Sequence, residues 1–172
     1  MARDITSDFN TAIKDTVVQP IFAIELEFSD GTLRFWTGYG DITMTAGGSS
    51  KTFTGAGDLL NISPIGESST LQMQGITVAL TGIKSSLVST ALTAQYTNRN
   101  GTLYMGLYNS SGAVIDDVYT LFKGKMDVLN INEGAETSTI TLKIESRLVS
   151  FELPLNRMYT LEDQQVDYST DL

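Results

Sequence analysis

The chain has 172 residues, of which 41% are hydrophobic and 18% are charged, a composition that fits one packed globular domain rather than a disordered chain. It contains no cysteine and no histidine, so this chain alone cannot form disulfides, thiolate metal sites or a catalytic arrangement that needs histidine. The formal net charge of −9 opposes binding to nucleic acid, which needs a basic surface, and to anionic lipid.

The amino-terminal sequence MARDITSDF has no apolar core of the kind that a signal peptide needs. No apolar run in the chain approaches the ~18 residues of a membrane helix. We therefore expect a soluble protein that is made in a cytoplasm, with residues 1–172 forming one domain.

A short helix is predicted from about residue 6 to residue 16. Its apolar residues recur at steps of three and four and form one stripe: Phe9, Ala12, Ile13 and Val17. Thr6 or Ser7 is the candidate N-cap, and Pro20 closes the segment.

The clearest strand signal is IFAIELEF, in which apolar and polar residues alternate with a period of two, as in a half-buried strand. Asp30 and Gly31 follow it and predict a two-residue type I′ turn into the return strand LRFW. Counting outward from this turn pairs Glu27 with Arg34 on the polar face and places the apolar residues of both strands on the other face.

Three further strand regions are predicted next along the chain. ITMT and KTFT flank AGGSS and predict a second hairpin. LLNISPI is short and contains Pro64, which predicts a strand at a sheet edge. In TLQMQGITVALTGI the apolar phase changes at Gly75, which predicts a β-bulge or a bend at that residue.

The second half of the chain predicts one more helix, in KSSLVSTALTAQ, and several strands. In TLYMGLYN, Tyr104 and Tyr108 lie on the face opposite the leucines. AVIDDVYTLFKGKMDVLNI is predicted to form two strand pieces broken at Asp116–Asp117. TSTITLKIES alternates, and its inward residues are Ile140, Leu142 and Ile144. The alternation then stops, and about 147–172 is predicted to be an irregular tail.

These elements amount to about 8–10 antiparallel strands with turns every 8–12 residues and two short helices. Many short strands at regular spacing favour an all-β sandwich or barrel, or a β fold with two short helices.

The phrase WTGYGD (residues 36–41) is nearly repeated as FTGAGD (residues 53–58). A phosphate site is not expected, because neither copy has a third glycine at the required spacing, a following helix or a Gly-Lys-Ser/Thr sequence. A metal held between Asp41 and Asp58 would require the two turns to touch. We instead interpret the phrases as similar turns that end two strands at one edge, lie near each other and contact a neighbouring subunit.

The carboxylate pattern argues against an enzyme. Asp116–Asp117 and Glu162–Asp163 are the adjacent carboxylate pairs, and neighbouring residues on a strand point to opposite faces. A glycosidase needs two carboxylates that face each other across a cleft. We therefore expect no enzymatic activity, no bound metal and no cofactor.

Several segments in a fixed order resemble a known family: QPIFAIELEFSDGTLRFWTGYGDI, KTFTGAGDLLNISPI, MQGITVALTGI, FKGKMDV, ITLKIESRL and RMYTLEDQ. Over about residues 4–166 the chain resembles the tail-tip (baseplate) hub proteins of long-tailed phages and gene-transfer agents. The resemblance implies β-barrels related to tail-tube protein. Some members carry an iron–sulfur cluster on cysteines, a role that does not transfer to a chain without cysteine.

The resemblance implies a virion protein of the tail tip, made in the host cytoplasm, that forms a homo-oligomeric ring around the DNA channel. The ring would join the tail tube or the distal tail ring to the tip, with a trimer favoured over a hexamer. Its implied partners are the distal tail protein and a second hub or central tip protein. DNA would pass through the lumen without specific binding, since an acidic lumen repels phosphates. Members of this family often continue beyond YTLEDQ, so the sequence leaves open whether a C-terminal part is missing or placed separately.

The sequence leaves two other functions open. One is the distal tail protein, which forms six-fold rings, and the other is a receptor- or carbohydrate-binding β-sandwich that exposes aromatic residues such as Tyr104 and Tyr108. The candidate subunit-interface residues are Phe9, Ile13, Tyr39, Asp41, Asp58, Tyr104, Tyr108, Tyr159 and Tyr168.

Overall fold

A computed structural model describes residues 5–56, 59–66, 75–81, 94–115, 117–133 and 138–148. These segments contain one helix, α1 (Ser7–Ala12), and nine strands. The strands are β1 (Pro20–Phe28), β2 (Gly31–Trp36), β3 (Asp41–Ala46), β4 (Ser49–Gly55), β5 (Leu59–Ile62), β6 (Gly75–Thr81), β7 (Asn100–Leu107), β8 (Asp117–Glu133) and β9 (Ser138–Ser146). The predicted all-β class is confirmed.

The nine strands form one sheet in the order β3-β4-β2-β1-β7-β8-β9-β6-β5. Strand β3 also pairs with β8, so the six strands from β3 to β8 in this order close on themselves. We call these six strands the closed sheet, and β9, β6 and β5 the extension. The β2–β4 and β3–β8 pairings are parallel and only two residues long. The other seven strand pairings of the described segments are antiparallel, as expected, so the parallel pairings are confined to the places where strands that are not neighbours in the chain close the sheet.

The β1–β2 hairpin has a register two residues away from the predicted one. Glu25, and not Glu27, lies opposite Arg34. The loop is Ser29–Asp30, and Gly31 begins β2 with a φ of +151°, which favours glycine. Because strand side chains alternate with a period of two, a shift of two residues keeps each side chain on its predicted face and changes only its partner.

Two apolar clusters lie on opposite sides of β1. The first draws on all six strands of the closed sheet and therefore fills its inside: Ile21, Ala23, Trp36, Met44, Ala46, Phe53, Tyr104 and Val118. The second lies between the closed sheet and the extension, and its largest members include Ile24, Leu26, Phe28, Phe35, Leu103, Met126, Ile76, Leu142 and Ile144. Strand β1 is thus covered on both faces, and the prediction of a half-buried strand is wrong.

Helix α1 is shorter than predicted and does not bury the predicted stripe. Phe9 is buried, with its ring centroid 6.3 Å from that of Tyr119. Ile13 and Val17 are 44% and 70% exposed. The helix ends early because Phe9 is its one buried residue, and a single anchor holds one turn against the sheet rather than three.

The other strand predictions hold in most places. The second hairpin is β3–β4, turned at Gly47 and Gly48, and β5 is at one end of the sheet order. The predicted inward residues of β9 are buried. Strand β8 begins at Asp117, at the position of the predicted break, and continues to Glu133. Its pairings with β7 and with β9 each contain one register shift. The predicted second helix lies outside the described residues apart from its last two, and the C-terminal tail lies outside them beyond 148.

We expect the substitution Phe9→Ala to release α1 from the sheet and to lower the free energy of unfolding by about 3 kcal/mol. Ile13→Ala is the matched control and should change it little, because Ile13 is already 44% exposed. Urea unfolding followed by the fluorescence of Trp36, the chain's single tryptophan, measures both variants. Equal effects of the two substitutions would contradict the assignment of Phe9 as the anchor.

Candidate functional site

The two glycine phrases touch, as the sequence predicted. Strands β2 and β4 run in parallel where Trp36 lies beside Gly55. The Gly55 N–H donates a 2.8 Å hydrogen bond to the carbonyl oxygen of Gly40, which joins the end of β4 to the turn after β2. The repeated sequence therefore reflects two chain segments that meet at the same edge.

Trp36 explains why glycines are needed in the first phrase. Its indole N–H donates to the Gly40 carbonyl oxygen at 2.9 Å, so that oxygen accepts two hydrogen bonds. The indole ring lies over Gly38, where a Cβ would overlap the ring, and Gly40 has a φ of +72°. A Cβ on Gly55 would lie 2.5 Å from the Gly38 carbonyl oxygen and 2.7 Å from the Gly40 nitrogen. The phrases thus serve close packing of backbone on backbone.

An ion cluster on the same strands consists of the buried Glu25 and the half-buried Arg34 and Lys51. Glu25 is 6% exposed. Arg34 Nε donates to one of its carboxylate oxygens at 2.6 Å, and Lys51 Nζ donates to the other at 2.9 Å. Lys51 Nζ also lies 5.8 Å from the centre of the Tyr104 ring. The cluster links β1, β2 and β4.

Burial and the neighbouring charges together shift the pKa values of Glu25, Lys51 and Tyr104. Burial alone would raise the pKa of Glu25, but the hydrogen bonds and charges of Arg34 and Lys51 lower it below its usual value. Burial would lower the pKa of Lys51, but the hydrogen bond to Glu25 and the nearby Tyr104 raise it. Burial and the Glu25 carboxylate raise the pKa of Tyr104. All three groups therefore hold their neutral-pH charge states firmly.

The sequence pattern missed Glu25 as a buried charge, because alternation placed it on the expected solvent face of β1. Glu27, which the pattern paired with Arg34, instead accepts a 2.7 Å hydrogen bond from the Asn100 side chain. The signal that could have revealed the cluster is the cation Lys51 on β4, but its approach to Glu25 depends on a parallel pairing of β2 with β4 that no hairpin pattern predicts.

An open groove of about 1020 Å³ lies between α1 with its following segment and the turn that joins β7 to β8. The groove combines acidic residues with apolar ones. Three carboxylates line it, those of Asp8, Asp15 and Asp117, together with Val17. The Asn109 carboxamide oxygen fixes the opposite rim by accepting hydrogen bonds from the backbone of the turn at 2.9 and 3.1 Å. The groove is therefore a shaped surface with an acidic, apolar lining.

The predicted interface residues separate into buried and accessible groups. Phe9 and Tyr104 are 2% and 3% exposed, so the prediction that they lie on an accessible surface is wrong. Both fill apolar sites, and the Tyr104 ring meets Phe53 edge-on at 6.1 Å and 82°. An exposed Tyr104–Tyr108 pair for a receptor or a carbohydrate is therefore wrong as well.

The other predicted residues keep access to solvent or lie outside the described residues. Ile13 and Asp41 are exposed, Tyr39 is 84% exposed at the tip of the first glycine phrase, and Tyr108 is half-buried at the groove. The residues outside the described segments are Asp58, Tyr159 and Tyr168. The structure therefore gives no geometry between Asp41 and Asp58.

The described segments contain neither a cluster of metal-binding carboxylates nor a helix that could span a membrane. Within them, no group of three or more Asp or Glu side chains is arranged to hold a metal ion. Within the same residues, no helix is long and apolar enough to cross a membrane.

The fold has a counterpart among solved structures. A chain in the virion of a native gene transfer agent particle aligns with 90% of this chain at a TM-score of 0.59 and 16% identity, which shows a shared fold. The alignment covers 49% of that chain, so this chain spans about half of its length.

Two weaker matches come from complexes of PdpA with VgrG, one a lidded Francisella complex and one lidless. Their TM-scores are 0.38 and 0.37 at 11% and 12% identity, too low to carry an argument. They cover 92% and 90% of this chain and 21% and 25% of the other chains. No family model and no curated protein matches the chain.

We expect Gly55→Ala to lower the free energy of unfolding by about 3 kcal/mol, because the added Cβ meets backbone atoms that cannot rotate away. Gly40→Ala is the control. Its Cβ meets open space, so its cost is limited to about 1 kcal/mol for the positive φ. Urea unfolding compares the two, and a larger loss for Gly40→Ala would contradict the close approach of the phrases.

We expect Glu25→Gln to lower the free energy of unfolding by about 1–3 kcal/mol at neutral pH, because two cations lose their buried partner. The lowered pKa of Glu25 gives stability that is present above the ordinary carboxyl pKa and is lost as pH falls through the lowered value. The variant should therefore lose less stability than the native chain on acidification below about pH 4.5.

Glu145→Gln is the matched control, because Glu145 pairs with Lys143 at 2.7 Å on the surface and surface pairs contribute little. Urea unfolding at a series of pH values measures all three proteins. Parallel pH profiles for the native chain and Glu25→Gln would show that the ion cluster does not set the acid sensitivity.

Proposed function

We propose that this chain is a structural protein of a phage-type tail. The observation that carries the proposal is the fold shared over 90% of the chain with a protein of a gene transfer agent virion. The sequence segments that resemble tail-tip hub proteins support the same assignment independently of the fold. In this role the chain is part of the virion, acts with other tail proteins and catalyses no reaction.

The finer proposal is a hub of the tail tip that forms a ring around the DNA channel. The closed sheet supports it, since six strands that close through β3 and β8 resemble the β-barrel that a tail-tube-like protein implies. The open groove and the exposed apolar side chains of Ile13, Val17 and Val18 supply surface for neighbouring subunits. The net charge of −9 suits a lumen through which DNA slides without binding.

The copy number separates the hub from its alternative. A trimer favours the hub, and a hexamer favours the distal tail protein, which would share the same virion location and the same fold class. The receptor- or carbohydrate-binding alternative has lost its main support, because Tyr104 is buried against Phe53.

We expect the purified chain to form a closed oligomer whose native mass is three times that of one chain, with six times as the distal-tail outcome. Native mass spectrometry at micromolar concentration, in dilute and in concentrated samples, gives the number of copies. In the producing phage or agent, deletion of the gene should yield particles without a complete tail tip by electron microscopy, and the native gene supplied in trans should restore it. Complete, functional tails after deletion would rule out the proposed function.

A further inference from the structure

One end of the closed sheet carries an acidic and apolar surface. The start of β1 lies beside the end of β7, where Pro20 is opposite Leu107, and the groove opens at this end. The residues that line the groove include Asp8, Asp15 and Asp117 and no lysine or arginine among the described residues.

Exposed apolar side chains accompany these carboxylates. Val17 lines the groove and is 70% exposed, and Val18 and Ile13 beside it are 40% and 44% exposed. Lys14 belongs to the same stretch of chain, residues 13–18, but it does not line the groove. Exposed apolar side chains on a segment that lines a shaped groove are typical of a surface that another protein covers.

A second surface, on β8 and β9, has the opposite charge. Lys125 lies directly opposite Glu145, and Lys123 and Lys143 are each two residues from that pair, so all four side chains share one face. We call Lys123, Lys125 and Lys143 the lysine face. Lys143 lies 2.7 Å from Glu145 and 3.9 Å from Asp127.

The lysine face keeps an excess of positive charge after these pairings. Its three lysines exceed the two carboxylates, those of Glu145 and Asp127, that lie near Lys143. Lys123 is exposed, and Val128, three residues after Lys125, is 45% exposed. This face therefore offers cations with an apolar neighbour, which complements the acidic and apolar groove.

The two surfaces are too far apart to contact each other within one chain. Asp117 at the groove and Lys123, the residue of the lysine face nearest to it along β8, are six residues apart, at most about 20 Å at about 3.3 Å per residue. Complementary surfaces on one chain that cannot meet within it are suited to a contact between copies.

We propose that the groove of one copy binds the lysine face of a second copy, so that copies associate head to tail. The proposal rests on the proposed function, because a head-to-tail contact closes into a ring when its rotation permits. It also explains how chains with a net charge of −9 can associate, since cations of one copy meet carboxylates of the next.

Charge reversal on each surface tests the contact. The groove variant carries Asp15→Lys and Asp117→Lys, and the face variant carries Lys123→Glu and Lys125→Glu. Each variant alone should weaken association at least 10-fold in sedimentation at low salt, because like charges then meet across the contact. The full-length chain that carries all four substitutions should regain association, because the charges are complementary again.

A mixture of the groove variant and the face variant gives a further test. Each copy then offers the surface that its neighbour needs, so alternating assemblies with an even number of copies should form. A three-membered ring cannot alternate, so a native trimer should be replaced by open or even-numbered assemblies, whereas a native hexamer should be restored.

Two single substitutions distinguish loss of the contact from unfolding, in case the double variants do not fold. Val17→Lys, at a side chain that is 70% exposed, should weaken association while the unfolding curve stays unchanged, because it replaces an apolar contact by a charge that repels the lysine face. Asp30→Lys, in the exposed β1–β2 turn, has the same charge change as Asp15→Lys and should leave association unchanged.

Native association by the folded face variant, or no recovery by the four-fold variant, would overturn the contact. An effect of the groove variant without an effect of the face variant would indicate a groove-to-groove contact or another tail protein, and would overturn it too. A chain that stays monomeric while its gene is still required for complete tails would refute the contact and leave the proposed function standing.

Discussion

Strand β1 is covered on both faces, and the main features of the closed sheet follow from that burial. Alternate residues of β1 enter two different apolar clusters, so a polar side chain on either face is withdrawn from water. Glu25 is in this position, and each of its oxygens receives a cation, one from β2 and one from β4. The charge that burial would otherwise make costly therefore links three strands.

The glycine phrases solve a related problem at the same strands. Strand β4 must come close beside β2 in parallel, although a short hairpin cannot join strands in that direction. Gly55 permits the approach because it has no Cβ, and the Gly40 carbonyl oxygen accepts hydrogen bonds from both Gly55 and Trp36. Lys51 lies on the strand held by this contact. The backbone packing thus places the cation that Glu25 needs.

Local pattern predicted the strands and their faces, but not the contacts between strands distant in the chain. The β1–β2 faces were predicted correctly although the turn was misplaced, because an error of two residues preserves alternation. That error assigned Glu27 to Arg34 and concealed Glu25. The closure through β3 and β8 involves residues about 70 positions apart and leaves no local periodicity. Tyr104 was expected on the surface for the same reason, since its face is covered only after closure.

Charge is unevenly distributed over the molecule. The end of β7 and the start of β8 lie beside α1, where three carboxylates and the exposed Val17 line the groove, while the lysines lie farther along β8 and on β9. A symmetric contact of groove with groove would place like charges together and is opposed by them. Between copies with this distribution, a directional contact brings opposite charges together. Directional contacts produce rings or filaments, and a ring is the assembly that the proposed function requires.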